Sequence, residues 1–221
     1  IRKLFWKTIA KKIKIITCPT LDLKKNIENH EIFNQKNLYH LPDAILKIEN
    51  FKVSKDLPIG LSLASNKRII LSAGRLTRQK NFSYLIEEFS EFLKLNNDFV
   101  LIILGEGEEK KKLTHLIDKK KLKNKVFLLG FKKDIFNYMK NSEIFILSSL
   151  WEEVGFVIVE AAMCNTYIIS SDCPNGPREF LNNGKSGLLF KNNLNKSLFK
   201  TLKDYCKLDK NKIFSDKVLL K

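Results

Sequence analysis

Two glutamates separated by seven residues stand in the segment WEEVGFVIVE. Glu152 precedes Gly155, and Glu160 lies in the apolar run that follows. If a helix begins near Gly155, Glu152 lies in the preceding loop and Glu160 about one and a half turns into the helix. The amides of Gly155, Phe156 and Val157 would then face the same ligand as the carboxylates and would suit a phosphate group.

The surroundings of the two glutamates allow two interpretations. Glu152 could be a loop charge favoured by the helix dipole, and Glu160 a surface residue. Apolar residues flank Glu160 on both sides, however. We therefore expect its helix to be largely buried and its carboxylate to need a partner.

A second group of candidates follows the segment RIILSA. Gly74 provides a turn, and Arg75 and Lys80 lie just before an amphipathic segment typical of a helix. Two cations at a helix N-terminus predict an anion site. Surface charge explains Lys80 equally well in a lysine-rich chain, but Arg75 is one of only five arginines, so it is the stronger candidate.

The segment LGEGEEK resembles part of a dinucleotide fingerprint. Gly105 and Gly107 fit it, but Lys110 stands where the third glycine should be. The next apolar run ends in Gly130 and Phe131, without an acidic residue to hold a ribose in the manner of NAD. A nicotinamide oxidoreductase is therefore disfavoured, and Gly105 is a candidate for a tight turn or for backbone contact with a ligand.

These candidates follow continuous apolar runs that alternate with helical patterns. We predict strands at 68–74, 99–105, 125–131, 144–150, 166–172 and 187–190, and helices at 81–95, at 107–121 and over a segment ending near Cys164. The pattern predicts an α/β fold, a Rossmann-like parallel sheet with helices on both faces. Ligands of such sheets bind beyond the carboxyl ends of the strands, where the candidates lie.

The first 50 residues hold about one further α/β repeat. A strand at 13–19, a helix at 21–33 and a strand at 37–45 are too little for a domain of their own. We predict that residues 1–50 are the tail of a preceding domain and the start of a linker near 47–66, and that residues 51–221 form the ligand-binding domain.

Composition excludes some functions and weakens others. No apolar run reaches the roughly 18 residues of a membrane span. Four cysteines without a CxxC pair predict free thiols in a reducing cytosol and no metal site. The net charge of +16 suggests nucleic acid or an anionic membrane as a partner. Arginine, which recognises phosphate in a bidentate manner, is scarce, so nucleic acid is the weaker interpretation.

Several segments resemble a known family when they are taken together. They occur in the order seen in retaining glycosyltransferases of the GT-B fold, the group 1 family, which includes enzymes of lipopolysaccharide, capsule and glycolipid assembly. The resemblance extends from Arg68 to Phe190, and the chain departs from it at Glu153 and Val154, where Gly-Phe is common. The segments are AGRLTRQKN, LGEGEEKKKL, LLGF, SSLWEEVGFVIVEAA and SSDCPNGPREFLNNGKSGLLF.

The resemblance implies a role for each candidate. Glu152 would bind hydroxyls of the donor sugar, and Glu160 would bind the ribose of the nucleotide. Arg75 and Lys80 would hold the diphosphate, and the backbone near Phe131 would contact the base. The catalytic group would be Glu152, Arg75 and Lys80, and neither a metal nor a cofactor would be needed.

The function implied is a metal-independent retaining glycosyltransferase that moves a hexose-type sugar from a UDP or GDP sugar to a glycan or lipid-linked acceptor. We expect it in the cytoplasm or peripherally on the inner face of the membrane, where the basic, amphipathic residues 1–16 could contact anionic lipid. Most of the acceptor-side domain would precede Ile1, so this chain alone would bind the donor but could lack groups needed for turnover.

Alternatives of other classes remain open at this point. The chain could be a non-catalytic nucleotide-sugar binding module or one half of a split enzyme. A nucleic-acid-binding protein would show affinity that falls steeply with salt. A glycosidase using Glu152 and Glu160 would need carboxyl groups about 5–10 Å apart, and the predicted anion site would then have no purpose.

Overall fold

The computed structural model describes residues 2–43, 58, 60, 67–209, 211 and 213. The predicted linker near 47–66 and the proposed boundary at residue 50 therefore lie almost entirely outside the described residues. Within the described ranges the strands are β1 (Ile16–Cys18), β2 (Leu38–His40), β3 (Arg68–Ala73), β4 (Phe99–Leu104), β5 (Val126–Gly130), β6 (Ile144–Leu147), β7 (Tyr167–Ser171) and β8 (Leu188–Phe190).

From β3 onward each strand is followed by one α-helix. In the same ranges the helices are α1 (Arg2–Ala10), α2 (Leu21–Asn29), α3 (Phe82–Leu93), α4 (Lys110–Lys119), α5 (Ile135–Lys140), α6 (Phe156–Met163), α7 (Pro177–Phe180) and α8 (Ser197–Lys207). None of the helices in the described part of the chain is both long and apolar enough to cross a bilayer.

Strands β3 to β8 form one parallel sheet in the order β5-β4-β3-β6-β7-β8. This is the 3-2-1-4-5-6 order of doubly wound folds, which reverses between its first and fourth strands, here β3 and β6. The α/β fold with a parallel sheet is therefore confirmed. The reversal opens a crevice beyond the carboxyl ends of β3 and β6, where ligands of such folds bind.

Both faces of the sheet are covered, because the strands are apolar on both sides. Helices α3, α4 and α8 pack on one face, where Phe89, Leu113 and Leu202 join the core. Helices α5 and α6 pack on the other face with Met139 and Ile158. Alternate strand residues enter the two clusters, which explains why the strands read as continuous apolar runs.

Several elements are shorter than predicted, for local reasons. The helix predicted at 107–121 begins only at Lys110, because the preceding segment is hydrogen-bonded to Leu76: Leu76 N donates to Glu106 O at 2.8 Å, and Glu109 N donates to Leu76 O at 2.9 Å. The helix predicted at 21–33 ends at Asn29, and Glu31 then adopts a left-handed φ of 50°.

Residues 2–43 form a small unit with its own two-stranded sheet. Strands β1 and β2 pair in parallel, Ile16 with Leu38 and Cys18 with His40, and do not join the larger sheet. Glu179 links this unit to α7, because its Oε2 accepts a hydrogen bond from Leu21 N at 2.8 Å. The assignment of residues 1–50 to a preceding domain stays a prediction.

Candidate active site

A cavity of about 770 Å³ lies at the sheet reversal between β3 and β6. The loops that follow β3, β4, β5 and β6 supply its walls. Nine of the ten residues predicted from the sequence line it; they are Gly74, Arg75, Lys80, Gly105, Phe131, Glu152, Gly155, Phe156 and Val157. Glu160 is not among the lining residues.

The floor of the cavity depends on a close approach of two turns. A Cβ on Gly105 would lie 1.9 Å from the carbonyl oxygen of Gly74, and Gly105 has a φ of 137°. Only glycine fits both constraints. The turns after β3 and β4 are therefore in direct contact, and the stem of Lys80 lies over Gly74, 3.1 Å from where a Cβ would stand.

Lys80 and Glu152 form an ion pair across the cavity. Lys80 Nζ lies 2.6 Å from Glu152 Oε1, and the two side chains are only 16% and 8% exposed. The hydroxyl of Ser149, which is fully buried, donates to the same oxygen at 2.5 Å. The sequence predicted both charged residues as ligand contacts, but it did not predict that they bind one another.

Arg75 has a different environment from Lys80. It is exposed at the cavity wall, and within the described ranges its guanidinium has no ion pair or hydrogen bond. Arg78, three residues later, is also exposed but does not line the cavity. Arg75 is therefore a cation at the cavity whose donors are not used by any residue in the described part of the chain.

The N-terminus of α6 also opens onto the cavity. Gly155 precedes the helix with a left-handed φ of 77°, a conformation that favours glycine. Phe156 and Val157 are the first two residues of the helix, so their amides have no carbonyl one turn earlier to bind. The predicted helix start is confirmed, and its dipole favours negative charge at this point.

Glu160 is the fifth residue of α6 and is half-buried. Burial raises the pKa of its carboxyl group above the usual range. No hydrogen bond or ion pair reaches this carboxylate from the part of the chain that the structure describes. The helix is less buried than expected, since Met163 is 38% exposed. The carboxylate of Glu160 is half-buried and has no protein partner among the described residues.

Hydrogen bonds fix the loop after β6 to the loop after β3. Ser148 Oγ donates to Lys80 O at 2.7 Å, Leu150 N donates to Gln79 O at 2.8 Å, and Gln79 Nε2 donates to Trp151 O at 2.8 Å. These bonds join residues about 70 positions apart, so no local sequence pattern predicts them. The two walls of the cavity are therefore held together by hydrogen bonds within the protein.

Sequence reasoning missed several other lining residues. Glu106, Lys132, Trp151 and Glu153 also line the cavity. Glu106 is paired with Lys110 at 2.9 Å, whereas Lys132 and Glu153 make no ion pair among the described residues. No three His, Cys, Asp or Glu side chains in these ranges are grouped closely enough to hold a metal ion.

Comparison with known proteins places this cavity in context. Residues 54–215 match the model of the family described as Glycosyl transferases group 1. An uncharacterized glycosyltransferase of Methanocaldococcus jannaschii is 36% identical over 181 residues, which cover 80% of this chain and 44% of that protein.

A second relative comes from Campylobacter jejuni. It is an N-acetylgalactosamine-N,N'-diacetylbacillosaminyl-diphospho-undecaprenol 4-alpha-N-acetylgalactosaminyltransferase, 35% identical over 148 residues, which cover 67% of this chain and 40% of the relative. The chain therefore spans less than half the length of these two curated relatives.

Solved structures share the same architecture. The crystal structure of Anabaena HepE in complex with UDP and glucose matches with a TM-score of 0.82 and 19% identity, over 97% of this chain and 60% of that one. This likeness shows the fold, which is that of the GT-B glycosyltransferases.

Proposed function

Because the chain belongs to the group 1 glycosyltransferase family, we propose that it binds a nucleotide-diphosphate sugar of the UDP or GDP type and serves in the metal-independent, retaining transfer of a hexose-type sugar to a glycan or lipid-linked acceptor. One observation carries this proposal: Arg75, Lys80 and the N-terminus of α6 meet in one cavity beside Glu152.

The diphosphate takes the positive part of the cavity. Arg75 offers a planar set of donors, Lys80 a point charge, and the amides of Phe156 and Val157 two further donors. Cleavage of the bond between sugar and diphosphate leaves negative charge on the departing phosphate. Preorganised donors stabilise that charge, so Arg75 and Lys80 supply what a metal ion supplies in other transferases.

The acidic side chains accept hydrogen bonds from the hydroxyl groups of the donor. Glu152 lines the cavity beside the proposed diphosphate site and accepts hydrogen bonds from the sugar. Glu160 does not line the cavity itself, but it lies in α6 one turn after the lining residue Phe156. It accepts from the ribose hydroxyls, which would provide the partner that its half-buried carboxylate lacks among the described residues. The backbone at Phe131 lies at the same cavity and contacts the base.

Retention of configuration is supported by chemistry rather than by geometry. Hexoses attached to UDP are ordinarily alpha-linked, and the Campylobacter relative is named for an alpha-linked product. An alpha product made from an alpha donor keeps the configuration of the sugar carbon. If this chain forms an alpha-linked product from such a donor, it likewise retains the configuration of the sugar carbon.

The name of the same relative specifies an acceptor on a diphospho-undecaprenol lipid. A lipid-linked acceptor would bring this chain to a membrane surface. Lys7, Lys11, Lys12 and Lys14 are exposed in and after α1, and they supply positive charge for anionic headgroups. Sedimentation with liposomes tests this part of the proposal: binding that requires anionic lipid supports it, and equal behaviour with neutral lipid refutes it.

Titration calorimetry tests donor binding. UDP, GDP and a panel of their hexose derivatives are added to the parent protein with and without EDTA. Binding of one nucleotide series that EDTA does not weaken, and that is lost in Arg75→Ala but kept in the matched control Arg78→Ala, is the expected result. No binding of any nucleotide, or equal binding by both variants, would overturn the proposal.

Transfer is measured separately from binding. Release of UDP or GDP in the presence of a lipid-linked or glycan acceptor, followed by analysis of the anomeric product, tests turnover and retention. Donor binding without transfer would instead support the non-catalytic binding module. An inverted product would contradict the retaining mechanism.

A further inference from the structure

The carboxylate of Glu152 uses only one of its two oxygens for protein contacts. Oε1 accepts from Ser149 Oγ at 2.5 Å and from Lys80 Nζ at 2.6 Å. Within the described ranges Oε2 has no hydrogen-bond partner, although Glu152 is only 7% exposed and lines the cavity. Oε2 is therefore the oxygen available to a ligand.

The ammonium of Lys80 cannot pair equally well with Glu152 and with a diphosphate at the same time. An incoming diphosphate carries more negative charge than a carboxylate and draws the flexible ammonium toward itself. Glu152 then keeps one protein contact on Oε1, the hydroxyl of Ser149. A carboxylate in so buried a position needs that hydrogen bond to stay ordered.

Ser149 is suited to this task because it is itself held in place. Its side chain is fully buried, and it is not among the residues that line the cavity, so it acts on a ligand only through Glu152. Its carbonyl oxygen accepts from Ser171 Oγ at 2.7 Å and from Asn192 Nδ2 at 3.4 Å. The hydroxyl therefore starts from a fixed backbone.

The preceding serine reaches the other member of the ion pair. Ser148 Oγ donates to the carbonyl oxygen of Lys80 at 2.7 Å, and its side chain is also buried. Two consecutive serines thus hold Lys80 by its backbone and Glu152 by its carboxylate.

Taking the proposed function as the premise, we propose that Ser149 is a positioning residue that orients Glu152 for the donor sugar, and that Ser148 positions Lys80 for the diphosphate. The two serines then contribute to different parts of the same ligand. Loss of Ser149 affects recognition of the sugar, and loss of Ser148 affects recognition of the nucleotide diphosphate.

Paired titrations separate these roles. The parent protein, Ser149→Ala and Ser148→Ala are each titrated with UDP and with one UDP-sugar. The UDP-sugar is the one that the parent binds best among UDP-glucose, UDP-galactose, UDP-N-acetylglucosamine and UDP-N-acetylgalactosamine. If the parent selects guanine nucleotides, GDP and GDP-mannose are used instead. Ser72→Ala is the matched control, because Ser72 is equally buried and donates to Ile146 O at 2.6 Å on a neighbouring strand, without contact to Lys80 or Glu152.

For Ser149→Ala we expect the Kd of the nucleotide sugar to rise about tenfold or more, the loss typical of a hydrogen bond to a charged group, while the Kd of the free nucleotide changes less than about twofold. For Ser148→Ala both constants should rise by the same factor, and for Ser72→Ala neither should change. Ser149→Cys, which keeps a weaker donor, should fall between parent and Ser149→Ala and serves if the alanine variant does not fold.

The possible failures differ from one another. If Ser149→Ala and Ser149→Cys weaken nucleotide and nucleotide sugar equally, or weaken neither, Ser149 has no role in positioning Glu152 and the inference is wrong. If the parent protein binds no nucleotide at all, the proposed function fails and the inference falls with it.

Discussion

Removal of the Lys80 ammonium is expected to destabilise the protein, because it leaves the buried carboxylate of Glu152 without its counter-ion. The substitution Lys80→Met keeps an unbranched apolar stem in place over Gly74 and removes only the charge. Glu152 retains its hydrogen bond from Ser149, which offsets part of the loss.

The burial of the two partners sets the size of the effect. Removing one partner of a buried ion pair costs about 3–5 kcal/mol. Lys80 is 16% exposed and Ser149 remains, so we expect the lower end, about 3 kcal/mol. In a chain of this size about 2–4 °C of unfolding temperature is lost per kcal/mol, which gives a decrease of about 6–12 °C.

A double-mutant cycle is the assay. Unfolding is followed in urea and by heating for the parent, Lys80→Met, Glu152→Gln and the double variant. The double variant should recover most of the loss, because both charges are removed together. Lys94→Met is the control, since the pair of Lys94 with Glu91 is largely exposed and should contribute little. If Lys80→Met is as stable as the parent, or if the effects of the two substitutions simply add, the ion pair does not stabilise the folded state.

Three further predictions concern other parts of the site. Arg75→Ala should slow sugar transfer about 10²–10³-fold and Arg75→Lys should recover little of that rate; a rate equal to that of Arg78→Ala would remove Arg75 from the site. Gly105→Ala should lower the urea midpoint strongly, because its Cβ would stand 1.9 Å from the Gly74 carbonyl oxygen, and an unchanged midpoint would contradict the close approach of the two turns. Burial raises the pKa of Glu160 in the folded state. Ionisation of Glu160 therefore lowers the free energy of unfolding as the pH rises through the raised pKa, and it has no effect below about pH 4, where the carboxyl group is protonated in both states. Glu160→Gln should therefore unfold at a higher temperature than the parent at neutral pH, with the difference vanishing near pH 4; a difference independent of pH would disprove this account.

The sheet could be predicted because its strands are buried on both faces. Continuous apolar runs such as RIILSA and FVLIIL leave few alternatives to a parallel sheet, and the strands predicted at 68–74 and 99–105 end one residue earlier in the structure. The start of α6 was also predictable, because Gly155 interrupts the polar segment just before an apolar run. Helix ends were less predictable, since they depend on contacts such as those of Leu76 with the 106–109 turn.

The site was predictable by residue type but not by pairing. Charged residues after strand ends indicated Arg75, Lys80 and Glu152, because parallel strands bring their carboxyl ends to one edge. The ion pair between Lys80 and Glu152 joins residues 72 positions apart, and the sequence carries no signal for it. Ser149 was missed for the same reason. A serine near a strand end is common, and only the structure shows that its hydroxyl donates to the carboxylate of Glu152. The roles of the ten predicted residues in donor binding stay predictions.

A crystal structure of the protein with bound UDP-sugar or GDP-sugar would show whether Arg75 and the start of α6 hold the diphosphate. We expect the diphosphate to lie in the cavity between β3 and β6, with phosphate oxygens about 3 Å from the guanidinium of Arg75 and from the amides of Phe156 and Val157. A diphosphate bound elsewhere on the protein, or in the cavity without contact to Arg75 and the start of α6, would contradict this expectation.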